Sequence, residues 1–171
     1  MTTSNARTWT RVFALTAIAA AGLLLSGCSL INQITNTTAR DASGTPTAEN
    51  TAADVFTIKV GDCLNDATAQ GTVTTAPIVP CSQPHDSEAY KSISMANGKF
   101  PGDTAVKDQA DTGCAAAFPT FIGISYDDSS LKISYYFPTQ DSWNNRDDRE
   151  ILCTVYDDGV KTTGTLKNAK R

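Results

Sequence analysis

Apolar and polar positions alternate in Val55-Phe56-Thr57-Ile58-Lys59-Val60, which predicts a half-buried strand with Phe56, Ile58 and Val60 on one face. Gly61-Asp62 then turns the chain into Cys63. Residues 72–81 are rich in Thr, Val and Ile and read as a second strand. Pro77 and Pro80 offer no ladder donor, so they confine it to an edge or break it. Residues 87–95 are a third candidate. From Asp103, a residue suited to capping, Val106, Ala110, Cys114, Ala117, Phe118 and Phe121 recur at three and four positions and predict one helix. Pro119 is expected to end or kink it near Phe118, because the residue before proline avoids the helical region. Two alternating runs follow, one placing Leu131, Ile133, Tyr135 and Phe137 on a face, the other Ile151, Cys153 and Val155. Strands, one helix, then strands predict an α+β fold: a small curved antiparallel sheet with one packed helix.

The amino-terminal stretch has another pattern. Arg7 and Arg11, with no acidic residue beside them, precede an apolar run over residues 12–25. A basic flank and an apolar run of this length read as a signal peptide, and the run is short of the roughly 20 residues a membrane span needs. It ends in Leu25-Ser26-Gly27-Cys28, which resembles the lipobox of bacterial lipoproteins. That resemblance implies a signal over residues 1–27 and a diacylglyceryl group on Cys28. Two acyl chains hold a protein stably on a bilayer, so the expected location is the extracytoplasmic face of the cell membrane, anchored without spanning. Residues 29–53 contain no aromatic side chain and are dominated by Ser, Thr, Asn, Ala and Asp. They are expected to be a flexible tether (residues 28–53 with the anchor) outside the core, and the folded domain to cover residues 54–168.

Cys63, Cys81, Cys114 and Cys153 remain, an even number in a segment expected to be translocated, where cysteines usually pair. Four cysteines allow three pairings. Cys63–Cys81 would close a local two-strand unit and Cys114–Cys153 would tie the helix to a late strand, which favours that set. No Cys-x-x-Cys occurs, so neither a zinc ribbon nor a thioredoxin-type pair is indicated.

Charge excludes one class of partner. With 14 basic and 18 acidic side chains the formal net charge is −4, and no basic cluster stands out that would neutralise nucleic-acid phosphates. The one histidine, His85, lies in Pro84-His85-Asp86-Ser87-Glu88. An imidazole beside carboxylates suits a general base, and a small envelope hydrolase using His85 with Asp86 or Glu88 is the alternative reading. No nucleophile motif accompanies it, so the structural reading, in which His85 and Asp86 satisfy backbone groups after Cys81, is preferred. Around Asp141 the oxygens lack the EF-hand order, and one histidine with paired cysteines leaves too few zinc ligands. No metal, cofactor or catalytic residue is therefore assigned, and the chain is read as a non-enzyme. Trp143, near Tyr135, Tyr136 and Phe137, could form a stacking platform with Arg146 and Arg149 binding a carboxylate; the preferred reading is that Trp143 covers the sheet edge and Arg149 pairs with Asp148 or Asp86.

Gly61-Asp62-Cys63-Leu64, Val79-Pro80-Cys81 with Pro84-His85-Asp86 and Glu88, then Cys114, Pro138 to Trp143, Asp148-Arg149, Cys153 and Thr163-Gly164-Thr165-Leu166-Lys167 together resemble the septum formation-related domain of actinobacterial envelope proteins. Asn145-Arg146-Asp147 stands where the family would have a Gly-Asp-Arg-like turn. The resemblance implies a secreted or membrane-attached, non-enzymatic domain associated with cell division. The expected interaction surface is His85, Asp86, Trp143 and Arg149, facing an envelope protein or cell-wall ligand.

Overall fold

A computed structural model describes residues 37–69 and 71–171. The expected signal, Cys28 and the first part of the tether lie outside the described residues. The ordered elements are β1 (Asn50–Asp54), a 3-10 turn (Val55–Thr57), β2 (Cys63–Leu64), β3 (Thr75–Val79), β4 (Ser87–Ser94), α1 (Asp103–Ile122), β5 (Lys132–Tyr136), α2 (Gln140–Asn145) and β6 (Glu150–Tyr156). All pairings are antiparallel and the sheet order is β1-β3-β2-β4-β6-β5, curled into a half-barrel. This is the α+β fold expected.

Each face of the sheet has its own core. Alternation along β6 sends Ile151, Cys153 and Val155 toward α1 and Leu152 to the opposite face. On the helix side, Val106, Ala110, Cys114, Phe118 and Ile122 form a stripe at intervals of four, all buried. In β4 the register shifts between Ala89 and Lys91, so Tyr90 and Ile93, three residues apart, both reach the helix-side core. The Tyr90 hydroxyl donates to the Cys114 carbonyl at 2.7 Å, and its ring meets Phe118 edge-on. Burial pushes the Tyr90 phenol above its ordinary range. Both favoured disulfides are present: Cys63–Cys81 links β2 to the end of β3, and Cys114–Cys153 links α1 to β6, with Cα separations of 5.2 and 5.6 Å.

The amino-terminal boundary of the domain departs from expectation. Residues 55–60 are not a strand: Asp54 accepts the Phe56 N–H and starts a 3-10 turn, which leaves Phe56 and Val60 exposed and only Ile58 buried. The strand is the preceding Asn50–Asp54, inside the stretch read as tether. There Ala53 is fully buried opposite Ala76, in the same apolar cluster as Ile78. Further back, Arg40 donates to both carboxylate oxygens of buried Asp62 at 2.6 and 2.7 Å. A buried carboxylate needs such a partner, and a scan for apolar residues cannot see that need.

Two further expectations change. β3 is internal although Pro77 lies within it. The missing N–H falls where the β1–β3 register is irregular, between Asn50 and Ala53, while the Pro77 carbonyl accepts from Asn65. The helix begins after Gly102 and Asp103 lies in its first turn, not at the cap. It also continues past Pro119 to Ile122. Proline removes only its own donor, and the final carbonyls find partners: Pro119 accepts from Gly123 in a left-handed cap, Phe121 from Asn168 and Ile122 from Lys170.

Candidate functional site

The loop after Cys81 brings His85 to the start of β4, where it is fully buried. Its backbone exchanges two hydrogen bonds with Thr162, both 2.9 Å. Nδ1 lies 2.8 Å from the Gln83 carbonyl, which assigns the ring hydrogen there, and Nε2 accepts from the Thr162 hydroxyl at 3.0 Å. Three residues on, buried Glu88 accepts from the Thr165 hydroxyl at 2.7 Å and the Leu166 N–H at 2.6 Å. Gly164 donates to the Cys81 carbonyl. The Cys-x-x-Pro-His-Asp loop and the Thr-Gly-Thr-Leu-Lys segment are thus two halves of one clamp. Cys63, His85 and Glu88 place ligand atoms within 4.8 Å of one another, but the sulfur is in a disulfide and the other donors are engaged as described.

Trp143 and Arg149 form a second structural unit. A capping box between Thr139 and Ser142 starts α2, and the Ser142 hydroxyl donates to Asp148 at 2.8 Å. Trp143 is buried, donates its indole N–H to the Gly98 carbonyl at 2.9 Å and packs edge-on against Phe100. The Arg149 guanidinium stacks 3.8 Å from the Trp143 ring centre and donates to the carbonyls of Trp143 and Asp148. Its ion pair is with Asp147 at 3.0 Å, not with Asp148 or Asp86. Asp147 has φ 54, so it occupies the left-handed position that a Gly-Asp-Arg turn would give to glycine.

The four residues expected to share a binding surface are therefore not one surface. His85 and Asp86 sit at the Ser87/Tyr156 end of the β4–β6 ladder, and Trp143 and Arg149 at the Ser94/Glu150 end. A ladder of this length separates them by roughly 20 Å. His85 and Trp143 are buried, and Arg149 is mostly covered by its partners. Asp86 is held by Lys161 at 2.6 Å and by the Ala67 N–H.

The open concave region lies elsewhere, around the β5 edge of the sheet, and reaches from the 3-10 turn to Asp103 and Lys107 of α1. A groove of about 820 Å³ runs between the 3-10 turn, β5 and α2, and a second of about 500 Å³ adjoins it, sharing Asp66, Ala69 and Ser134. Five carboxylates and two cations line the larger; Asp86, Asp157 and Asp158 against Lys161 are added by the smaller. Asp66 sits between them, accepting from the hydroxyls of Ser87 and Tyr136 at 2.7 and 2.8 Å. The Tyr136 phenol is pushed up, first by burial and then by the Asp66 charge. Tyr135 is pushed up to about 12 by burial, then by its hydrogen bond to Asp111 and the charges of Asp111 and Asp108. Exposed Phe56 lies under the Arg146 guanidinium at 4.7 Å. Of the four expected surface residues only Asp86 reaches this groove; His85, Trp143 and Arg149 line neither part. Asp66 and Phe56 were not singled out because their role comes from the curl of the sheet. Tyr135, Tyr136, Phe137 and Arg146, expected as a platform around Trp143 and Arg149, do line the groove, whereas Trp143 and Arg149 do not.

A small, disulfide-braced α+β domain, with its single histidine built into a backbone clamp, is the class that fold and site define. The chain belongs to the septum formation family, whose model matches residues 60–171. It is similar to LppN of Mycobacterium tuberculosis, a protein named as a lipoprotein, with 34% identity over 57% of this chain and 55% of that protein. It is also similar to a protein of the same species named as an uncharacterized membrane protein, with 28% identity over 58% of this chain and 24% of that one. The chain thus matches about half the length of the first relative and about a quarter of the second. No solved structure matches it. Among the described residues, no helix is long and apolar enough to cross a membrane.

Proposed function

We propose that this protein is a lipid-anchored, extracytoplasmic and non-catalytic interaction module of the cell envelope, connected with septum formation. The observation that carries the reading is the fate of the residues on which the family resemblance rests. His85, Glu88, Trp143 and Arg149 are spent on holding the fold, and the surface left open is the groove around Asp66. A general base must reach the proton it abstracts, and His85 faces Gln83 and Thr162 instead. The anchor is supported by the lipobox-like Leu25-Ser26-Gly27-Cys28 and by the naming of LppN as a lipoprotein. The septal connection rests on the family.

Two measurements test this. Mass spectrometry of the native membrane fraction is expected to find a mature chain that begins at diacylglyceryl-modified Cys28; an unmodified amino terminus at another residue refutes the anchor. Fluorescence imaging of the full-length chain is expected to show enrichment at the division site, lost in a Phe56→Ala/Arg146→Ala variant that still folds. Uniform distribution of the unaltered protein, or enrichment that survives the double substitution, refutes the septal module or the groove as its working face.

A further inference from the structure

Resting on the interaction-module reading, we infer that the groove takes an extended, lysine- or arginine-bearing peptide segment of an envelope protein, docked along the outer edge of β5. β5 ends the sheet and pairs only with β6. Among the described residues, no main-chain atom of Lys132–Tyr136 has a partner from any element beyond β6. The larger groove wraps around that edge: Ser134 and Tyr136 line it from one face, Tyr135 and Phe137 from the other, and Lys107 of α1 closes the far side. An unpaired strand edge inside a groove offers main-chain hydrogen bonds to an added strand, with alternate side chains directed into the pockets beside it.

Charge selects the occupant. Asp66, Asp141, Asp148 and Glu150 all line the larger groove, and each accepts hydrogen bonds from hydroxyl or amide donors while forming no ion pair with a described cation. The two cations present are already engaged, Arg146 by Asp54 at 3.7 Å and the Phe56 ring, Lys107 over the Phe137 ring. A segment with basic side chains would meet uncompensated carboxylates, and an acidic one would be repelled. A bare metal ion fits less well. Among the described residues, the only three candidate ligands that converge are Cys63, His85 and Glu88, so the groove carboxylates are spread along a track. Exposed Phe56 adds apolar and aromatic contact that a small cation would not use.

The test uses the full-length chain in detergent and fluorescence anisotropy with labelled ten-residue peptides: alternating Lys-Thr, alternating Glu-Thr, and a Lys-Thr peptide methylated at every backbone nitrogen, which has the same charge and no backbone donor. Spermidine and calcium serve as competitors. The Lys-Thr peptide is expected to bind, to weaken several-fold between about 50 and 200 mM salt, and to exceed the N-methylated peptide by about tenfold. Asp141→Asn/Glu150→Gln, both at exposed positions, is expected to weaken it about fivefold with an unchanged melting temperature. Equal binding of Glu-Thr overturns the charge argument. Equal binding of the N-methylated peptide, or displacement by spermidine or calcium at equal concentration, overturns the strand docking. An undiminished affinity in the neutralised variant overturns the groove as the site. If these fail while septal enrichment still depends on Phe56 and Arg146, the module stands with another occupant; if that dependence fails too, the module reading falls with it.

Discussion

The His85 clamp and the Asp66 groove occupy the same sheet and draw on the same residue types, yet they treat their polar groups in opposite ways. In the clamp, His85 and Glu88 are buried and each of their polar side-chain atoms has a fixed partner, the Gln83 carbonyl for Nδ1 and residues 162–166 for the rest. In the groove, Asp141 and Glu150 are exposed and keep their charge available to solvent. Burying a polar group demands one particular partner at one particular position, because an unmet donor or acceptor there costs about 1–3 kcal/mol. A recognition surface built on spread charge makes no such demand. The motif residues that stand out in the chain are therefore the structural ones, and the open site combines Tyr135, Tyr136, Phe137 and Arg146, legible only as neighbours of Trp143, with carboxylates that look ordinary.

That contrast can be broken most forcefully at the disulfides. Replacing Cys114 and Cys153 with serine is expected to destabilise the domain by roughly 4 kcal/mol, and replacing Cys63 and Cys81 by roughly 3, by loop-closure entropy. Thermal unfolding of the paired variants checks both, and an unchanged melting temperature contradicts the structural assignment.

A sharper cut separates clamp from groove. His85→Ala is expected to cost about 2–3 kcal/mol, since it opens a buried space and leaves the Gln83 carbonyl and Thr162 hydroxyl unpartnered. Urea denaturation measures it. A stable His85→Ala protein that has lost an enzymatic activity would place His85 in a site instead.

Alkaline titration compares the two faces of the sheet. Tyr90 under α1 and Tyr136 by the groove both have folded-state values raised above the ordinary 10, and Tyr135 reaches about 12. An acid whose folded value is raised keeps its proton when the unfolded chain would release it. Their contribution to stability is thus complete below pH 10 and is lost as pH rises through about 10 to 12 and beyond. Circular dichroism and phenolate absorbance, followed together, are expected to show ionisation of these three rings coinciding with unfolding; ionisation near pH 10 in a folded protein contradicts their burial.

The smallest effect is expected in the groove itself. Arg146→Ala removes a side chain 58% exposed, with an ion pair to a similarly exposed Asp54, and is expected to change stability by less than about 0.5 kcal/mol. A cost above about 1.5 kcal/mol in urea titration would make Arg146 part of the fold rather than part of a surface.

Much of the helix side was legible from residue order. Val106, Ala110, Cys114 and Phe118 announce their stripe through spacing, and Ile151, Cys153 and Val155 through alternation, because a side chain's direction follows from its position in a regular element. The favoured cysteine pairing followed from the same element assignments. The amino-terminal edge was not legible. Val55 to Val60 carries the stronger strand pattern, but Asp54 diverts it into a turn and the plainer Asn50–Asp54 takes the ladder position. Arg40 joins the domain through its ion pair with buried Asp62 and a hydrogen bond to the Thr57 carbonyl, interactions 22 and 17 residues apart that no local pattern encodes.

What residue order alone determined is the inventory: one long helix among strands, though not the short α2, two disulfides, a single histidine, an acidic balance and a lipobox-like leader. Tertiary structure alone decided the roles. It carried His85 into the interior, set Trp143 and Arg149 at the far end of the ladder, and exposed β5 beside Asp66, Asp141 and Glu150. The physical reason is that local periodicity governs which way a side chain points, whereas the partner it meets depends on how distant segments cross, and the curl of the sheet sets those crossings.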